Sequence, residues 1–223
     1  DDSWRSHPRS CSRWDDTVHR IFLLSPASCS GKRADLLLND RARFDLALRL
    51  REPPGAPLGD VFSFLSGLYF RGKLAYARAF ARPPRRLPGV FVITTSRGLV
   101  LPEQPATIAD LREFAAVDLH AANARYRAPL TRDAAWLAER IGPRAEIVLL
   151  GSVASGKYID VLGETFGARL RFPGAFVGRG DMSRGGLMLR CVREGRELDY
   201  VGVAGSERHG PRPPRLAPAR RVR

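Results

Sequence analysis

The chain has 223 residues, 44% of them hydrophobic, enough to bury one full core, so a second domain is not required. No apolar run nears the roughly 20 residues that a membrane-spanning helix needs, and the opening DDSWRSHPRSCSRWDD lacks the apolar stretch of a signal peptide, which sets a cytoplasmic expectation with no membrane partner. Cys11, Cys29 and Cys191 lie far apart without paired spacing, which speaks against a disulfide framework and a zinc cluster, so no metal and no other cofactor is expected.

Of the formal charge of +14, residues 204–223 hold +5 and residues 1–19 hold −1, which leaves +10 on the body. Such a body favours polyanionic partners, nucleic acid or nucleotide first, through counterion release and long-range steering. The competing reading is that Arg, which far outnumbers Lys, serves solubility.

In chain order, residues 1–19 show no periodicity and read as a disordered extension, 20–203 as a single α/β domain, and 204–223 as a basic Pro/Arg-rich tail that prolines and like charges keep from packing. Arg20–Leu24 is a continuous apolar strand, followed by the small-residue turn SPASCSGKR from Ser25 to Arg33. Residues 34–50 fit neither period cleanly, and REPPGAP ends whatever precedes it. Phe62, Leu65, Leu68, Tyr69, Ala75, Tyr76, Ala79 and Phe80 predict a helix over 61–81. A second strand, GVFVIT over 89–94, runs into Thr95, Ser96, Arg97 and Gly98. Thr107, with Asp110 in the first turn, caps a helix extending to Tyr126, and another helix covers 131–141. A third strand, 146–150, leads through GSVASGK to a helix ending near Phe166. A short strand over 169–172, a Pro173-Gly174 turn, a helix near 183–193 and an edge strand over 198–203 complete the pattern.

Strands alternating with helices predict a three-layer α/β/α domain with a mainly parallel sheet of about four strands. Ligands bind outside the carboxyl ends of such strands. That places Ser25 to Arg33, Thr95 to Gly98 and Gly151 to Lys157 on one rim.

Gly151 to Lys157 matches the G-x-x-x-x-G-K phosphate loop between strand and helix, with Ser152 and Lys157 as ligand candidates. Tyr158 stands where Ser or Thr would hold magnesium, which leaves two alternatives, a lone phosphate on backbone N–H groups or a plain turn. Cys29 reads as a nucleophile if a helix N-terminus or Lys32 activates it, and otherwise as a small buried residue. Lys32, beside Arg33 in a positive field, reads either as a nucleophilic amine or as a phosphate-binding charge. Ser96 joins these two as a catalytic candidate, while Ser25, Ser28, Ser30, Arg33 and Arg97 are ligand-binding candidates on the rim. Arg179, Ser183 and Arg184, among glycines, suit a phosphate, or else belong to a capped helix docking closely on the sheet through Gly185 and Gly186; Asp181 reads as that helix's N-cap.

The succession Cys29-Ser30-Gly31-Lys32-Arg33, LYFRGKLAYARAFA and VFVITTSRGLVLPEQP resembles an uncharacterised bacterial domain family with a Cys-Ser-x-Lys turn and a Tyr-containing helix. That family is similar to the lysine-bearing domain of archaeosine synthase, which has a uracil-DNA-glycosylase-like α/β fold. The resemblance covers about Ile21 to Leu162 and implies base or nucleoside chemistry, with Lys32 or Arg33 at the place of the nucleophilic lysine. The functional expectation is therefore an enzyme acting on a nucleobase, nucleoside or nucleotide, within or outside DNA or RNA. The alternative is a noncatalytic protein that grips nucleic-acid phosphates.

The basic body predicts binding to mixed-sequence DNA or RNA that weakens about tenfold or more between roughly 50 and 200 mM salt. A filter-binding titration measures it, and binding that is absent at low salt or indifferent to salt removes nucleic acid from the partners.

Overall fold

A computed structural model describes residues 18–214. Its elements are, in order, β1 (Arg20–Leu24), α1 (Lys32–Leu38), α2 (Asp45–Arg49), β2 (Ala56–Pro57), α3 (Leu58–Ser66), α4 (Leu68–Phe80), β3 (Val90–Ile93), β4 (Leu99–Val100), β5 (Pro105–Ala106), α5 (Ile108–Ala115), α6 (Ala124–Arg140), β6 (Glu146–Leu150), α7 (Gly156–Phe166), β7 (Leu170–Pro173), α8 (Asp181–Glu194) and β8 (Tyr200–Gly202). The expected extension, apart from Val18 and His19, and the tail beyond Pro214 lie outside the described residues. Among the described residues no helix is long and apolar enough to cross a membrane.

The main sheet has the order β4-β3-β1-β6-β7-β8, and β2 pairs with β5 separately. The expectation of about four strands, mainly parallel, is corrected: the sheet has six strands and is mixed. β1 pairs in parallel with β3 and β6, and β6 with β7, while β4 and β8 close the edges antiparallel. The missed edge β4 has only two residues, too few for a period to register.

Burial of β1 on both faces follows from its unbroken apolar run. Phe22 and Leu24 enter one core with Val90, Val92, Val148 and Leu150, beneath α3, α4 and α8. Ile21 and Leu23 enter the other with Phe91, Ile93, Ile147 and Leu149, against α6 and α7. At the amino end of the sheet, Arg20 pairs with Glu146 at 2.6 Å and Glu197 at 2.5 Å, and Arg171 joins Glu146 at 2.9 Å. These pairs fix the strand ends opposite the rim.

Two expected helices have different bounds. The run over 61–81 is broken at Gly67, whose φ of 60° lies in the left-handed region, so α3 and α4 are separate helices. Thr107 does form a capping box with Asp110, but α5 ends at Ala115, and a new helix, capped by Asn123, absorbs both the end of the first prediction and the 131–141 segment despite Pro129. Residues 34–50 resolve into α1 and α2 rather than a strand. Asp181 opens α8 without capping it; Gly180 holds the cap position, and the Asp181 carboxylate pairs with Arg184 at 3.6 Å.

α8 crosses α4 with the two backbones in contact. A Cβ on Gly72 would lie 2.7 Å from the carbonyl oxygen of Gly185, and one on Gly185 would lie 2.7 Å from that of Leu68. Only glycine permits this approach. Gly185→Ala therefore lowers stability by about 1–3 kcal/mol through overpacking, whereas Gly163→Ala, with nothing within 4 Å of its new Cβ inside α7, raises it by about 0.4–1 kcal/mol. Urea denaturation of both variants checks the pair; equal effects would mean that the crossing is looser than described.

Candidate functional site

Because β1, β3 and β6 run parallel, the loops after them emerge at one rim, as the sequence predicts. The loops after β1 and β3, the segment around the end of α5 and the first turn of α7 enclose a cleft of about 300 Å³ lined by Ser28, Cys29, Thr95, Phe114, Lys157 and Tyr158, among others; Gly151 and Ser152, in the loop after β6, do not line it. That is the lower end of the volume range of small-molecule sites. Phe62, Phe114 and Tyr158 give it aromatic walls, Ser28, Ser30 and Thr95 give hydroxyls, and Asp118 and Lys157 give one charge of each sign. Among the described residues no three His, Cys, Asp or Glu side chains converge as a metal site requires.

The catalytic candidates fare unequally. Lys32 is exposed on the first turn of a seven-residue helix and does not line the cleft. Ser96 is also outside it, donating its hydroxyl proton to Glu113 at 2.5 Å. Cys29 does line the cleft, but burial pushes its thiol up to about 12, so near neutral pH it is a thiol rather than a thiolate.

The arginines proposed for phosphate have protein partners. Arg33 donates to the Phe64 carbonyl at 3.0 Å, closing the end of α3. Arg97 pairs with Glu113 and Asp110, and its hydrogen bonds, followed by that from Ser96, hold the Glu113 carboxyl below its ordinary range. Arg184 is buried with its guanidinium on the Phe176 carbonyl at 3.1 and 3.2 Å. Arg179 donates to Ala175, Ser183 and Pro214, so the first tail residues lie against this turn. Of the two readings of 179–186, these contacts favour a closely docked helix, but it docks on α4 through Gly185 and not on the sheet.

On the phosphate-loop match, α7 does follow the turn, with Gly156 at its start. Gly151 has a packing role: a Cβ there would come within 2.9 Å of that of Ser25. Ser152 is half-buried in the loop, and Lys157 extends its amine over the Tyr158 ring at 5.2 Å. Ser28 and Ser30 share a hydrogen bond of 2.9 Å at the cleft wall.

Beneath this cleft lies a group the sequence reading missed. Lys73, on α4, is 1% exposed. Its amine donates to the Ser25 carbonyl at 2.5 Å and lies 2.9 Å from Ser25 Oγ. The faces of Tyr69 and Phe70 lie 4.5 and 4.8 Å away. Among the described residues it forms no ion pair. Burial pulls its pKa down to about 7; the charge of Asp181 opposes that shift and the charge of Arg184 adds to it. The Tyr69 hydroxyl is buried near the Arg184 guanidinium without the geometry of a hydrogen bond. Tyr158, on the cleft wall, is buried as well, and burial raises its pKa, with the charge of Tyr69 adding to the shift.

A legible sign of Lys73 existed. It stands on the helix face of Tyr69, Phe70, Tyr76 and Ala77, all buried, where an apolar residue belongs. No family model, curated protein or solved structure matches the chain.

Depressed amine basicity has a thermodynamic signature. The unfolded chain keeps this lysine protonated to about pH 10.4, whereas the folded chain releases the proton near pH 7. Between these values the unfolded state binds more protons, so stability rises with pH by up to about 1.4 kcal/mol per unit. Cys29 and the buried tyrosines, shifted upward, act oppositely once their unfolded forms ionise, above about pH 8.5. Urea denaturation between about pH 7 and 8.5 shows the rise in the parent chain and its loss in Lys73→Met; a flat parent profile would mean that the amine is not neutral when folded.

Proposed function

We propose that the chain is an enzyme acting on a nucleobase, nucleoside or nucleotide, with the substrate ring in the rim cleft and its phosphate, where present, toward Lys157. The observation that carries this reading is the cleft itself: a planar heterocycle finds three aromatic side chains, hydroxyl partners for its edge, and one cation within a volume of about 300 Å³. The charge of +10 on the body draws anionic substrates toward it. The resemblance at Cys29–Arg33 supports the same chemistry, and with it a three-layer, uracil-DNA-glycosylase-like arrangement of the helices about the sheet.

Lys32 keeps no part as nucleophile in this reading, because it lies outside the cleft. Of the expected catalytic residues, Cys29 is the one that lines the cleft. The noncatalytic binder reading needs a stripe of arginines at the rim. It is weakened by the engagement of Arg33, Arg97 and Arg179 with protein groups.

Calorimetric titration with nucleosides and nucleoside monophosphates tests the proposal. Monophosphates bind, and Lys157→Ala weakens them about tenfold through loss of a charge-assisted contact while leaving nucleosides unaffected. Phe114→Ala weakens both. Failure of bases, nucleosides and monophosphates alike to bind at millimolar concentration ends the proposal.

A further inference from the structure

We propose that the groove between α1, the corner of α3 and α4, and the start of α8 is a docking site for a short acidic segment of another protein, one that carries large apolar side chains beside Asp or Glu. The proposal does not depend on what the rim cleft binds. The groove has a volume of about 750 Å³ and is lined by Leu36, Phe64, Leu65, Leu68, Arg71 and Met182, among others.

Its apolar character is not that of an ordinary surface. Seven large hydrophobic side chains are exposed among the described residues, and the two most exposed, Met182 at 67% and Leu36 at 54%, both stand at this groove. Each lies off the buried side of its helix: on α1 Ala34 and Leu37 enter the core and Leu36 does not, and on α8 the buried residues begin at Arg184. Phe44, also exposed, stacks on Phe64 at 5.4 Å and extends the patch by one ring. Exposed apolar surface gathered in one place and rimmed by polar residues marks a site that another chain covers, and Met, Arg and aromatic side chains are the types enriched in such sites.

The charge of the groove selects the partner. Arg33 and Arg71 line it, and no carboxylate does. Asp35 and Asp181 adjoin Leu36 and Met182 in sequence without lining it, and Asp181 pairs with Arg184 at 3.6 Å. Arg33 donates to the Phe64 carbonyl at 3.0 Å and still remains exposed, while Arg71 is exposed and forms no ion pair among the described residues. Two cations beside an apolar floor suit a segment whose carboxylates steer and register it while its apolar anchors supply the affinity. Other occupants match less well. The tail starts nearby, since Pro214 lies against Arg179, but residues 215–223 hold four Arg and no acid. A second copy brings another body of charge +10. A membrane surface is flat and would not reach Leu65 on the groove floor, which is 9% exposed.

Panning a phage-displayed library of random peptides of about 12 residues on the immobilised chain supplies the probe and the test together. The enriched sequences combine Asp or Glu with two or more large apolar residues, and a synthetic consensus peptide binds the parent with a Kd of about 1–100 μM by fluorescence anisotropy. Leu36→Asp and Arg71→Glu, both at exposed positions, keep the parent's melting temperature and each weaken the peptide about tenfold or more. No enriched sequence, enrichment of basic or uncharged sequences, or equal binding to parent and variants overturns the proposal. So do three results that give the groove to another occupant, each recognised by its loss in Leu36→Asp: a dimer of the parent, binding to vesicles of anionic phospholipid, and binding of a synthetic 215–223 peptide to a chain lacking those residues.

Discussion

The parallel pairing of β1 with β3 on one side and β6 on the other is the constraint on which the rest depends. Three apolar runs laid in one direction must release their chains at the same end. The backbone there has exhausted its ladder partners, so the loops that follow present hydroxyls and amides to one another and to a shared cleft. Helices on both faces make the sheet interior dry. Any polar group pushed into that interior, as Lys73 is, changes its chemistry rather than its hydration.

The abundance of arginine has a structural explanation that a charge count conceals. At the amino end of the sheet, Arg20, Arg82 and Arg171 engage Glu146 and Glu197, and at the rim Arg97 engages two carboxylates of α5. Arg33, Arg179 and Arg184 instead close carbonyls at helix and turn ends. A guanidinium with five donors is suited to that role where a lysine is not. Many of the arginine side chains are therefore engaged in holding strand ends and loops, and the cation of the cleft lining is a lysine, Lys157, in a wall that also holds Asp118.

How much was legible in the sequence depended on the range of the interaction that decides each feature. The strands β1, β3 and β6 and the common rim follow from local apolar runs and the handed logic of crossovers. The break at Gly67 did not, because a single glycine hardly disturbs a helical period, and the left-handed turn it supplies depends on where α4 must go. Arg97 and Ser96 looked free because Glu113 is sixteen and seventeen residues away on another element. Lys73 was passed over because its long apolar stem lets a lysine occupy a core position without spoiling the pattern around it.

The crossing of α4 and α8 joins two glycines that each adjoin a buried basic residue: Gly72 precedes Lys73, and Gly185 follows Arg184. The spacing of the helices is thereby also a spacing of charges. Backbones in contact shut water from the amine, the larger effect, while α8 also sets the charge of Asp181, which favours the ammonium, against that of Arg184, which opposes it. Prying the helices apart would readmit water, so the spacing of α4 and α8 bears directly on proton affinity at the carboxyl end of β1.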